Sequence, residues 1–198
     1  MVHPHTQLRF INEHMGYGVF ATQLIPKGTI TYTKDALEVE VSPEQYAAYP
    51  ASIREVIERY SFMDEKGIRV ISWDHAKYVN HCCHCNTMST GYGFEIAIRD
   101  ILPGEEITDE YGMFNLDYAM DLQCTKPGCR GKVSAQDLDQ YSFAWDEKVK
   151  TALQSWGEVS QPLACLLDES TLAALQAFVQ DERHYRSVIG LRSIGLPA

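Results

Sequence analysis

The amino-acid sequence predicts a mostly β fold with an α-helical insert and a helical tail. Three observations predict it. Short β-prone runs alternate with glycine and proline turns in the first third. A helix-start signal followed by helical apolar spacing interrupts them, and the composition shifts to long amphipathic segments after Cys129.

The first run, FINEHMGYGVFATQLIPKGTITYT, carries Gly16-Tyr17-Gly18 and Pro26-Lys27-Gly28, both turn signals between strands. Ser42, Pro43 and Gln45 read as an N-cap, a proline at the first helical position and a capping-box partner. The insert is therefore placed at about 42–61. Pro50 interrupts it, and Ile53, Val56, Ile57 and Tyr60 then recur at helical spacing. Gly67 to Trp73 reads as a strand after a turn. Phe94 to Ile98 alternates and ends at Pro103-Gly104, which makes it another strand. In the tail, Val149, Leu153 and Trp156 suggest one amphipathic helix, and Leu172, Leu175, Phe178 and Val179 suggest a longer one.

Apolar residues make up 45% of the 198, which suits an ordinary globular protein. No run approaches the roughly 18 apolar residues of a membrane span, and MVHPHTQLRF has no signal-peptide pattern. The expectation is a cytoplasmic protein with no membrane partner, a secreted effector being the alternative. The formal charge of −10 disfavours direct binding to nucleic acid, which requires positive charge at the backbone. It favours a cationic partner such as a lysine-rich peptide.

Five of the six cysteines fall in two clusters, Cys82, Cys83 and Cys85, then Cys124 and Cys129. In a reducing compartment such clusters suggest metal more than disulfides. Cys165 stands alone and reads as a small buried hydrophobe.

Four segments, in order, carry a resemblance. They are GYGVFATQLIPKG at 16–28, KYVNHCCHCN at 77–86, AIRDILPGEEITDEYG at 97–112 and CTKPGCRGKV at 124–133. Together they resemble the SET-domain protein-lysine methyltransferases. The first is similar to the family's glycine-rich opening, the second to its Asn-His segment, the third to the run ending in its catalytic tyrosine. The fourth is similar to the end of its zinc-binding tail. The resemblance implies a SET-domain β-fold of small curved sheets with a knot-like chain crossing. The domain is placed at 6–118, followed by a post-SET-like cysteine segment at 119–134 and a helical C-terminal extension at 135–198. The small size and lack of accessory domains look like bacterial members of the family.

The implied activity is methyl transfer from S-adenosylmethionine to the side-chain amine of a lysine in a basic protein or peptide. Tyr111 matches the catalytic tyrosine. Gly16, Tyr17, Gly18, Lys77, Tyr78, Asn80, His81 and Tyr111 are the implied cofactor-binding residues, with His81 acting chiefly through its backbone. Two residues before the tyrosine, where the family often has Phe or Tyr, stands Asp109, so the product state stays open and an anion there could hold the lysine as ammonium. Tyr32 is near a family tyrosine but out of register with it, and receives no role.

Cys83, Cys124 and Cys129 match three ligands of the family's structural zinc. The fourth falls on Leu122, so either zinc is absent or Cys85 replaces it. Spacing alone also allows Cys82 and Cys85 with Cys124 and Cys129. Completing the core is the default role of the tail helices, with covering the substrate groove or forming a homodimer as alternatives. The rival functions are a catalytically inactive SET-like module that binds a basic peptide, and a hydrolase or thiol enzyme centred on HCCHC. The second lacks an H-E-x-x-H pairing and an electropositive setting.

Overall fold

A computed structural model describes residues 1–122, 124 and 126–193. Twelve short strands and four α-helices, in chain order, are β1 (Thr6–Asn12), β2 (Gly16–Ala21), β3 (Ile30–Thr33), β4 (Val39–Val41), α1 (Pro43–Ala48), α2 (Ala51–Tyr60), β5 (Ser61–Met63), β6 (Arg69–Ile71), β7 (Asn80–His81), β8 (Thr87–Ser89), β9 (Phe94–Ala97), β10 (Glu106–Asp109), β11 (Met120–Asp121), β12 (Lys132–Val133), α3 (Asp137–Leu153) and α4 (Glu169–Gln180). They form small sheets, and none closes into a barrel. Their strand orders are β1-β2-β10-β7, β3-β9-β8, β4-β6-β5 and β11-β12.

Local chemistry accounts for several of the boundaries. The β1–β2 turn closes through the Asn12 side chain, which accepts from the N–H groups of His14 and Met15, and Gly16 follows at φ +74°. Ser42 caps α1 as a full capping box with Gln45. Pro50 precedes α2, which ends at Tyr60.

The insert differs from its apolar pattern. Ile53 and Val56 are 44% and 54% exposed, and only Ile57 of α2 is buried. The reason lies on its inner face, where Glu55, Glu58 and Arg59 border a cavity instead of a packed core.

One core packs the β3-β9-β8 sheet, through Ile30, Met88, Phe94 and Ile96, against Trp145, Val149, Leu153, Leu175 and Phe178 of the two tail helices. The tail therefore buries much of its apolar stripes within the chain, although Val179 is 52% exposed. A second cluster joins Val19, Ala21, Ile25, Ala97, Ile101 and Ile107. Gln161 stitches the tail to β3, accepting from Ile30 N–H at 2.9 Å and donating to Gly28 C=O at 2.7 Å.

Three readings of the tail need correction. Trp156 lies in a separate 3₁₀ turn, because α3 ends at Leu153. The second helix is the shorter one, 12 residues against 17. Cys165 is exposed, since the 3₁₀ turn at Ala164–Leu166 holds it at the surface. Of the expected extension, residues 194–198 lie outside the described residues. Among the described residues no helix is long and apolar enough to cross a membrane.

Candidate active site

The NHCCHCN segment is drawn into the centre of the molecule by β7, which runs parallel to β10 with Asn80 opposite Thr108 and His81 opposite Asp109. The ladder continues beyond the strand through Cys82 N–H to Asp109 C=O and Asn86 N–H to Thr108 C=O. The Asn86 side chain adds three bonds, donating to Glu106 C=O at 2.8 Å and to Glu105 Oε1 at 3.3 Å and accepting from Thr108 N–H at 2.9 Å. Asn86 is buried, so these bonds satisfy a polar group that would otherwise be costly there.

This pairing places Tyr111 directly after β10. Its hydroxyl donates to Val79 C=O at 2.6 Å, and its N–H donates to His81 Nδ1 at 3.2 Å. Burial holds His81 below the ordinary imidazole range, which agrees with an unprotonated Nδ1. Burial pushes the Tyr111 phenol up, so it is a protonated donor and not a base. Asn80 Nδ2 donates to Tyr17 C=O at 3.1 Å and to Glu106 Oε1 at 2.8 Å. At Gly18 a Cβ would come within 2.7 Å of Glu106 Oε1 and of Ile11 Cδ1, and 3.2 Å from Asn80 Nδ2. A Cβ there would require the ends of the Glu106 and Ile11 side chains to move.

Beside this centre lies a cavity of about 580 Å³. Lys77, Val79, Asp109, Tyr111 and Phe114 form one wall, and Tyr60 with the α2 residues forms another. Of the expected cofactor residues, Lys77 and Tyr111 line it. Gly16, Tyr17, Gly18, Tyr78, Asn80 and His81 stand behind or beside the wall. Tyr17 packs edge-on against Tyr78, and Tyr78 against Tyr60, which links the glycine turn to the cavity rim. Lys77 Nζ is within 3.4 Å of Ser72 C=O.

Glu95 of β9 and Asp109 of β10 also face the cavity, from different sheets. Burial pushes both carboxyls above the ordinary carboxylate range, and contact with Glu95 raises Asp109 further. Asp109 is the anion expected from sequence, and its side chain is buried. Glu95 was not anticipated. An acid in the middle of the apolar strand FEIAI was its available signal. Tyr32 sits opposite Glu95 in the β3–β9 register and donates to Glu38 at 3.0 Å, which places it in the same wall. Glu105 and Glu106 have separate structural partners, Arg99 and Leu102 N–H for the first, Asn80 for the second.

The cysteines divide. Cys83 Sγ is 3.9 Å from Cys129 Sγ and 3.4 Å from His81 Nε2, and Cys124 is a further neighbour of Cys129. Tetrahedral zinc at about 2.3 Å from each sulfur requires a close group of four ligands. Among the described residues, no group of three or more His, Cys, Asp or Glu side chains is arranged to hold a metal ion. Cys85, the expected replacement ligand, is corrected to a core residue. It is 5% exposed in the cluster with Ile30, Met88 and Trp145, and burial keeps its thiol protonated. Among the described residues, the zinc-bearing tail expected from resemblance therefore shows no such ligand group. The segment is instead fastened by Arg130, whose guanidinium reaches Glu110 and Asp137. Sequence reading passed over Arg130, although C-R-G marked it.

Comparison with known families matches the family model described as SET domain to residues 16–112. No curated protein matches the chain.

Proposed function

Since the chain is a SET-domain protein, we propose that it transfers a methyl group from S-adenosylmethionine to the side-chain amine of a lysine in a protein substrate. SET domains are methyltransferase domains, used commonly for protein lysines. The observation that carries the finer reading is the position of Tyr111, half-buried in the cavity wall and bonded to both Val79 and His81.

The residues present fit the cofactor. Gly18 keeps the backbone bare beside the Glu106, Ile11 and Asn80 side chains, and Asn80 holds the neighbouring Tyr17 carbonyl. Gly16 to Gly18, Tyr78, Asn80 and the His81 backbone would hold it, with Lys77 toward its carboxylate. When bound, S-adenosylmethionine supplies a sulfonium methyl with a good leaving group. The chain's task is alignment and exclusion of water. Tyr111, as a fixed phenol, orients the amine with its hydroxyl oxygen. The amine must be neutral to attack, and deprotonating a free lysine at pH 7 costs roughly 4 to 5 kcal/mol. The acidic surface, with a formal charge of −10, attracts a basic substrate segment.

Calorimetric titration with S-adenosylmethionine tests the reading, using wild type, Tyr17→Ala and Asn80→Ala. The expected result is micromolar affinity in wild type, weakened at least tenfold in both variants, with labelled methyl transferred to a lysine-rich acceptor. A folded wild type without affinity for the cofactor would refute it and favour an inactive module that binds a basic peptide.

A further inference from the structure

We propose that Glu95 and Asp109 form the amine subsite of this cavity, a carboxyl–carboxylate pair that takes the proton from a primary ammonium. The subsite deepens the methyltransferase reading and rests on it for the identity of the amine, the substrate lysine.

The pair is built by topology. β9 and β10 belong to different sheets, yet their acids meet within hydrogen-bonding reach at the cavity wall that also holds Tyr111. Asp109 is 1% exposed. Its Oδ1 accepts from Glu110 N–H at 2.7 Å, whereas its Oδ2 has no hydrogen-bond donor. A buried, unpartnered carboxylate oxygen is costly, so the site calls for a proton or a cationic donor. Two carboxyls in contact do not both ionise near neutrality, and the pair then carries one proton and one negative charge.

The neighbouring groups leave that charge available. Tyr32, Cys85 and Tyr111 stay protonated beside the pair, the Tyr32 and Tyr111 hydroxyls donating to Glu38 and Val79 instead, and Glu110 adds negative potential. Among the described residues, the amino group of Met1 is the positive group that acts on Glu95. Lys77 and Arg59 line the cavity, yet among the described residues neither pairs with either carboxylate. A second cavity of about 110 Å³ shares Tyr32, Phe62, Glu95 and Phe114 with the first, so Glu95 borders both.

The step balances. An ammonium N–H bond breaks and a carboxyl O–H bond forms, turning the singly charged pair into a neutral diacid and leaving a neutral amine. The lone pair of the neutral amine would then be free to accept the methyl group that bound S-adenosylmethionine supplies. The pair afterwards releases its extra proton to solvent.

The test uses the full chain with ¹³C-labelled carboxyls, titrated by NMR with and without n-butylamine, for wild type, Glu95→Gln and Asp109→Asn. The expected result is a carboxyl step between pH 6 and 8 that n-butylamine shifts and that both variants lose while remaining folded by circular dichroism. Absence of that step in wild type, or indifference to n-butylamine, overturns the proposal whatever the cofactor result. Single-turnover methylation of poly-L-lysine is the second readout. At pH 7 the variants should lose about 100-fold in rate while cofactor affinity holds, with the rate rising again toward the pKa of a free amine. An unchanged pH profile in both variants also overturns it. Failure of the methyltransferase reading would show separately, as a wild type that binds n-butylamine but not S-adenosylmethionine.

Discussion

Arg130 grips the Glu110 carboxylate through two hydrogen bonds, 2.8 Å from Nη1 and 2.6 Å from Nη2. Glu110 is wholly buried and immediately precedes Tyr111, and its Oε1 also accepts from Gly112 N–H at 3.0 Å. The same guanidinium reaches Asp137 at the start of α3 and lies over the rings of Tyr141 and Trp145. One side chain thus joins the cysteine segment, the tyrosine turn and the tail. Removing it leaves a buried charge unpaired, so Arg130→Ala should cost about 3 to 5 kcal/mol in urea unfolding. The double variant Arg130→Met, Glu110→Gln should recover more than half of that loss.

Tyr111→Phe removes the hydroxyl that donates to Val79 and keeps the ring. Stability should fall by about 1 kcal/mol, the net worth of one hydrogen bond. Methyl transfer should fall at least 100-fold with cofactor affinity within twofold of wild type. A variant that loses cofactor affinity in parallel with rate would point to a binding role.

Two glycines of one turn should respond differently. Gly18→Ala forces a Cβ into Glu106 and Ile11, and cofactor affinity should drop more than tenfold by calorimetry. At Gly16 nothing lies within 4 Å, but φ is +74°, so alanine there should cost about 1 kcal/mol of stability through backbone strain alone.

The acid pair predicts how stability follows pH. Glu95 titrates in the folded chain at about 7, above the usual carboxylate range, mainly because of burial, and Asp109 is raised further by Glu95. A raised folded pKa favours the folded state at low pH, below the unfolded value. That contribution is lost as pH rises through about 7. Thermal scans should therefore show a fall in Tm between pH 5 and 8 that Asp109→Asn and Glu95→Gln make shallower. A steeper fall in the variants would contradict the assignment.

Cys85→Ser places a hydroxyl in an apolar core and should cost about 1 to 3 kcal/mol. The loss should be equal with and without a chelator, because the thiol packs against side chains instead of serving a metal. A chelator-dependent loss would restore Cys85 to a ligand set.

Short-range chemistry was legible in the sequence. The capping box at Ser42, the Asn12 to Gly18 turn and the run ending at Tyr111 depend on residues a few positions apart, and the order of the three motifs within 16–112 identified the domain. The residues that decide the site's electrostatics lie far apart in the chain. Glu95 meets Asp109 only because two sheets converge, and Arg130 finds Glu110 only when the cysteine segment folds back across α3. The exposure of Ile53 and Val56 follows from the cavity that α2 borders, which helical periodicity cannot register. Cys85 shows the same limit, since a spacing of two residues is compatible with both a ligand and a core position. Sequence by itself determined the capping box at Ser42, the turn before Gly18 and the SET-domain match over 16–112, because each is written in local pattern. Tertiary structure decided which acids share a proton and which thiols are buried, because burial and contact between distant residues set those energies.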